Sequence, residues 1–166
     1  MASRTATKTP AAAGLQVGDR APDFALPTDD GGQVSRASLK GKPYVLYFYP
    51  KDDTSGCTRE AQDFSAAAAK FTKLGILVLG VSKDSLESHQ KFRRKHGLKV
   101  ALGSDPDAAA ARAWGVWGEK TLYGRKYMGM ERATFLVDAK GRIAAVWRKV
   151  KVPGHVAAVL EEAKSL

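Results

Sequence analysis

The chain has 166 residues, 44% of them hydrophobic, and a formal net charge of +10. That is enough for one complete core, and no run of about 18 apolar residues is present to span a bilayer. The single cysteine, Cys57, excludes an internal disulfide, a Cys-x-x-Cys redox pair and a Cys-rich zinc site.

In chain order, Met1 to Gly14 is rich in Ala, Ser and Thr and holds no acid, with no apolar segment behind Arg4 and Lys8 to make a secretory signal. We read residues 1–16 as a flexible tail rather than a transit peptide, and residues 17–166 as one domain. Phe24 to Pro27, followed by Asp29-Asp30-Gly31-Gly32, predicts a short hairpin. Tyr44-Val45-Leu46-Tyr47-Phe48-Tyr49 is aromatic and apolar throughout, as a strand buried on both faces would be, and Pro50 ends it. After the polar loop 51–56, Ala61, Phe64, Ala68 and Phe71 recur at spacings of three and four and predict one helix, stopped by Gly75. Ile76 to Ser82 is a second buried strand. Asp84 with Glu87 resembles a capping box for a helix running to His96 and stopped by Gly97. Asp105-Pro106 opens a short Ala-rich helix ending near Trp114. Ala133 to Asp138 and Ile143 to Trp147 form a hairpin about Lys140-Gly141. Val156, Val159, Leu160 and Ala163 mark a last helix. Strands alternating with helices predict an α/β domain, a central mixed sheet flanked by helices, with the first hairpin as an N-terminal extension.

The chemistry is expected between strand and helix, in Tyr49-Pro50-Lys51-Asp52-Asp53-Thr54-Ser55-Gly56-Cys57-Thr58-Arg59-Glu60. Turns at the carboxyl ends of strands are where ligands bind in open α/β sheets. Cys57 falls in the first helical turn, where free N–H groups and the positive dipole end favour a thiolate. Gly56 admits close approach to the backbone, and Thr54 can direct its hydroxyl to the same space. Spacing alone leaves open that Cys57 is a small buried hydrophobe.

Pro50-x-x-x-Thr54-x-x-Cys57, the run around it, Gly18 to Phe24, Tyr123-Gly124-Arg125 and Arg132 to Asp138 together resemble the peroxiredoxin family, in its bacterioferritin-comigratory (Q-type) branch. The resemblance extends over 17–166 and implies a thioredoxin-like fold and a thiol peroxidase that reduces hydrogen peroxide and organic hydroperoxides without metal or organic cofactor. It implies that Cys57 is the peroxidatic nucleophile, that Thr54 aligns the peroxide, that Arg132 holds the thiolate and that Pro50 shields the pocket, with backbone N–H groups of Gly56 and Cys57 as further donors. Glu60 either orients Arg132 beside the substrate or stabilises the first helical turn. Where the branch often carries a resolving cysteine, this chain has Gln62, and in other members the position falls at or near Arg93. Turnover therefore implies an external thiol: thioredoxin, glutaredoxin or glutathione. Ser55 replaces a usual proline. The branch implies a monomer, and a reducing, cytoplasmic setting fits the cysteine usage.

Charge opens other readings. Lys83 to Lys99 holds six basic and two acidic residues, and Lys140 to Lys151 five basic and none acidic. Such clusters suit a nucleic-acid-binding module, but no aromatic residues interleave with them as a base-stacking platform needs, and a solvated surface is the plainer reading. An inactive interaction or holdase protein of the same fold is the second alternative. A papain-like protease would need a histidine base, and the surroundings of Cys57 do not resemble that family. His89, His96 and His155 show no metal-ligand spacing and are expected at the surface. Arg125 reads as either a site or a surface residue, and Trp114 and Trp117 as core or pocket rim.

Overall fold

A computed structural model describes residues 14–166, so residues 1–13 of the expected tail lie outside the described residues, while Leu15 packs against the core. β1 (Ala25–Pro27) and β2 (Gln33–Ser35) make the expected antiparallel hairpin. Asp30 Oδ1 closes its turn by accepting from Gly32 N at 2.9 Å and Thr28 Oγ1 at 2.6 Å. β3 (Tyr44–Phe48) is buried at all five residues. The single helix expected next is two, α1 (Ser55–Ala66) and α2 (Ala68–Lys73), because the chain bends at Ala67. β4 (Leu77–Ser82) follows, then α3 (Leu86–His96), which ends on left-handed Gly97.

The cap of α3 differs from expectation. Ser85, not Asp84, is the N-cap and accepts from Ser88 N at 3.1 Å. Asp84 instead accepts from Asp52 N and the Ser82 hydroxyl. β5 (Ala101–Ser104) leads to α4 (Ala109–Ala113), where the Asp105 carboxylate accepts from Ala110 N and Ala111 N. β6 (Trp117–Leu122) and β7 (Arg125–Met130) form a separate hairpin. β8 (Ala133–Val137), β9 (Ile143–Trp147) and α5 (His155–Ala163) complete the chain.

The main sheet has the order β5-β4-β3-β8-β9, with β3 parallel to β4 and antiparallel to β8. Alternation along β3 sends Tyr44, Leu46 and Phe48 to one face, against Phe24, Trp114 and Phe135. Val45 and Tyr47 face the other, against Ala61, Phe64, Phe71, Phe92 and Val159 from the helices. Phe64 stacks on Tyr47 at 4.5 Å between ring centroids, fixing α1 over the sheet. This is the mixed sheet flanked by helices that the hydrophobic pattern predicts. Pairing of Phe48 with Ala133 then sets Arg132 beside the end of β3, where the loop to α1 begins.

Candidate active site

Tyr49 N still bonds the Val81 carbonyl, so the sheet runs to the edge of the loop, and Pro50 stands exposed just beyond. Thr54 is the N-cap of α1 but makes no side-chain cap; its Oγ1 donates to the Lys51 carbonyl at 2.8 Å. The first intrahelical bond runs from Thr58 N to the Thr54 carbonyl. Ser55, Gly56 and Cys57 therefore have N–H groups with no acceptor inside the helix, at the positive end of its dipole. Ser55 is the first helical residue, a position that suits proline equally well.

Cys57 is buried on the sheet side of α1, 1% exposed. Arg132 Nη2 donates to its Sγ at 3.3 Å, and Nη1 donates to Glu60 Oε1 at 2.7 Å. An ideal Cβ on Gly56 would stand 3.1 Å from Arg132 Nη2. The glycine is thus what lets the guanidinium lie across the helix start, the close approach expected there. Burial alone would weaken the hold of Arg132 on its proton; the Cys57 sulfur and the Glu60 carboxylate reverse that and raise its pKa.

Glu60 lies beyond the first turn of α1, so it does not stabilise that turn; it serves as the anchor of Arg132. Its side chain is wholly buried, and burial pushes its pKa up to about 7 against the pull of Arg132. Oε2 has no hydrogen-bond partner among the described residues, with His155 Nε2 3.9 Å away. His155 Nε2 pairs with Thr134 Oγ1 at 2.8 Å, and burial followed by the charge of Arg132 pushes its pKa down to about 4.

The expectation of surface histidines fails for His89 and His155, both buried, while His96 is half-buried against Asp53. His89 sits between Asp52 Oδ2 at 2.7 Å and the Gly103 carbonyl at 2.8 Å. Asp52 also accepts from Tyr49 OH and Ser88 Oγ, which ties the loop before Cys57 to α3. No pattern in the sequence signals the pairing of His89 with Asp52, 37 positions away, or the approach of His155 to Thr134 and Glu60, 21 and 95 positions away. Gln62 faces outward, and Arg93 is occupied by Asp29 and the Leu98 carbonyl. Trp114 is in the core, Trp117 half-buried under Lys83, and Arg125 exposed in the β6–β7 hairpin.

The AhpC/TSA family model matches residues 17–146. Peroxiredoxin Bcp of Bacillus subtilis is 47% identical over 152 residues, 92% of this chain and 97% of the relative. Peroxiredoxin Bcp of Escherichia coli is 40% identical over 146 residues, 88% and 94%. Among solved structures, peroxiredoxin Q of Xanthomonas campestris superposes with a TM-score of 0.83 at 44% identity, covering 91% of this chain and 96% of that one. The bacterioferritin comigratory protein of the same organism, described for its alkyl peroxide reduction activity, has the same TM-score at 43% identity over 91% and 96%. Two different cysteines of that peroxiredoxin Q have each been replaced by serine in further structures, whereas this chain has one cysteine to replace. The fold is thioredoxin-like, as the resemblance implied, and the chain belongs to the AhpC/TSA family of peroxiredoxins.

Proposed function

We propose that this thiol peroxidase works by a one-cysteine mechanism centred on Cys57. The observation that supports it best is the Arg132 guanidinium, donating to the sulfur while braced by buried Glu60, over a helix start with free N–H groups. The thiolate attacks the terminal oxygen of the hydroperoxide, the O–O bond breaks, and the departing alkoxide takes up a proton as the alcohol. Arg132 and the N–H groups of Gly56 and Cys57 stabilise the charge that moves onto oxygen. Thr54 has committed its proton to Lys51, so its lone pairs are available to accept from the peroxide hydroxyl and align it. Pro50 covers the mouth of the site.

Cys57 is left as a sulfenic acid. An external thiol attacks its sulfur, water leaves, and a second thiol opens the mixed disulfide to restore Cys57. The net conversion is one hydroperoxide and two thiols to alcohol, water and one disulfide. Thioredoxin, glutaredoxin and glutathione all have the required chemistry, and the enzyme is proposed to act as a monomer in the reducing cytoplasm. Organic hydroperoxides are included as substrates because the Xanthomonas relative is described for alkyl peroxide reduction. Peroxide consumption with dithiothreitol tests the reading: Cys57→Ser should abolish it, and turnover at the wild-type rate in that variant would end the proposal.

A further inference from the structure

At the end of the sheet opposite Cys57, the turn between β2 and β3 meets the turn between β8 and β9. They enclose a cavity of about 480 Å³ bordered by Arg20, Asp23, Arg36, Lys40, Tyr44 and Lys140. β3 separates the two sites: Tyr44 opens the strand, and the Cys57 loop follows its far end. Five strand residues put them roughly 16 Å apart along the sheet, so the cavity is no part of the peroxide site.

Four cations face one carboxylate here, a local excess of three positive charges. Arg36 is held in place rather than free in solvent: Nη1 donates to the Ala21 carbonyl at 2.9 Å, and Nε lies 3.7 Å from Asp23 Oδ1. Tyr44 contributes a second, independent feature. Its side chain is 2% exposed, it lines the cavity, and its hydroxyl has no hydrogen-bond partner among the described residues. A buried hydroxyl is ordinarily paired. Burial holds the phenol above its usual range, against the pull of Arg36, so it stands as a neutral donor. A cavity that gathers positive charge, one guanidinium of it held in place, over an unpaired donor is complementary to a multiply charged oxyanion.

We propose that this cavity binds a small phosphorylated molecule. Arg20, Arg36, Lys40 and Lys140 take its phosphate oxygens, and the Tyr44 hydroxyl donates from the floor. The excess of three charges matches a diphosphate better than a single carboxylate, and the volume exceeds what inorganic phosphate alone would fill. The same cations could meet the phosphates of a nucleic acid. Against that, they converge on one concavity instead of forming a stripe, and the one aromatic ring there is buried and offers no face for a base.

Isothermal titration of the full chain with pyrophosphate tests the site. Saturable binding is expected with a dissociation constant at or below about 1 mM. Lys140→Gln and Arg36→Gln should each weaken it about fivefold or more, and Tyr44→Phe about threefold, as loss of charged and neutral donors does elsewhere. Lys140 and Arg20 are exposed, so the double variant Arg20→Gln, Lys140→Gln decides the matter should Arg36→Gln fail to fold. Peroxide turnover of the Lys140→Gln variant should equal wild type. Absence of saturable binding, or binding by the double variant equal to wild type, would overturn the proposal. Tighter binding of a short oligothymidylate, competing with pyrophosphate and weakened by the same substitutions, would overturn it in favour of a nucleic-acid surface.

Discussion

Arg132 donates both to the Cys57 sulfur and to the buried Glu60 carboxylate behind it. Replacing it with Met keeps the length of the side chain and removes both bonds. The second-order rate with peroxide should fall roughly tenfold to a thousandfold, as loss of a transition-state donor does, and Thr54→Val should fall within the same range. Stopped-flow rates equal to wild type would remove either residue from the site. Behind Arg132, Glu60 and His155 titrate with opposite sign. Glu60 is raised from 4.5 to about 7, so between those values the folded protein keeps a proton that the unfolded chain has released, and stability falls as pH rises. His155 is lowered from 6.5 to about 4, so between those values the unfolded chain binds a proton that the folded protein refuses, and stability rises with pH. The slopes oppose each other from about 4.5 to 6.5. Glu60→Gln should therefore leave a profile that climbs through this window, and His155→Phe one that declines. Urea midpoints measured across pH 4 to 7 would show it; variants tilting the same way would contradict the assignment.

Most elements were legible because their residues meet a periodic environment. β3 and β4 lie inside the sheet and read as apolar runs, and α5 shows its apolar stripe. The Cys57 loop was legible for a local reason, the succession of strand, polar loop and helix start. β5 was missed because it is four residues long and contains Gly103. The β6–β7 hairpin was missed because it is largely exposed and carries no period-two apolar pattern. Its turn is formed by Tyr123 and Gly124, both at positive φ, where Asn-Gly or Asp-Gly would have been recognisable. Hidden too was the bolt between the Cys57 loop and α3. Both nitrogens of His89 face oxygen atoms, of Asp52 and of the Gly103 carbonyl, an arrangement that favours the doubly protonated, charged ring. Burial opposes that charge, but the Asp52 bond prevails and raises the pKa. His89→Leu leaves a carboxylate buried without its counterion and should cost about 3–5 kcal/mol in urea unfolding. A raised histidine contributes fully below pH 6.5 and loses that contribution as pH rises through its folded value, so the penalty should shrink at alkaline pH. A penalty under about 1 kcal/mol at pH 6 would mean that the pair does not secure the loop.

For the whole molecule, the consequence of one cysteine is kinetic. Oxidised Cys57 cannot meet a thiol of its own chain, and the residue sits where the thiol form is 1% exposed, so a reductant must enter the pocket or wait for the first turn of α1 to open. That opening is resisted from two sides: Asp52 and Asp53 hold the loop to α3, and Arg132 with Glu60 holds the helix start to β8. The sulfenic acid should therefore persist when reductant is withheld. Further peroxide should then oxidise it to sulfinic acid, with loss of activity. A disulfide between two copies of Cys57 is disfavoured by the same burial, since two bolted pockets would have to open face to face. Intact-mass spectrometry after one equivalent of peroxide distinguishes these ends. A monomer heavier by one oxygen and captured by dimedone is expected, with activity restored by thioredoxin or glutathione. The Arg132→Met variant, with one bolt removed, should be reduced by glutathione faster than wild type once oxidised, even though it oxidises more slowly. Full conversion to a reducible covalent dimer within the turnover time would show that the pocket opens far more readily than its contacts allow, and the external-thiol route would fail.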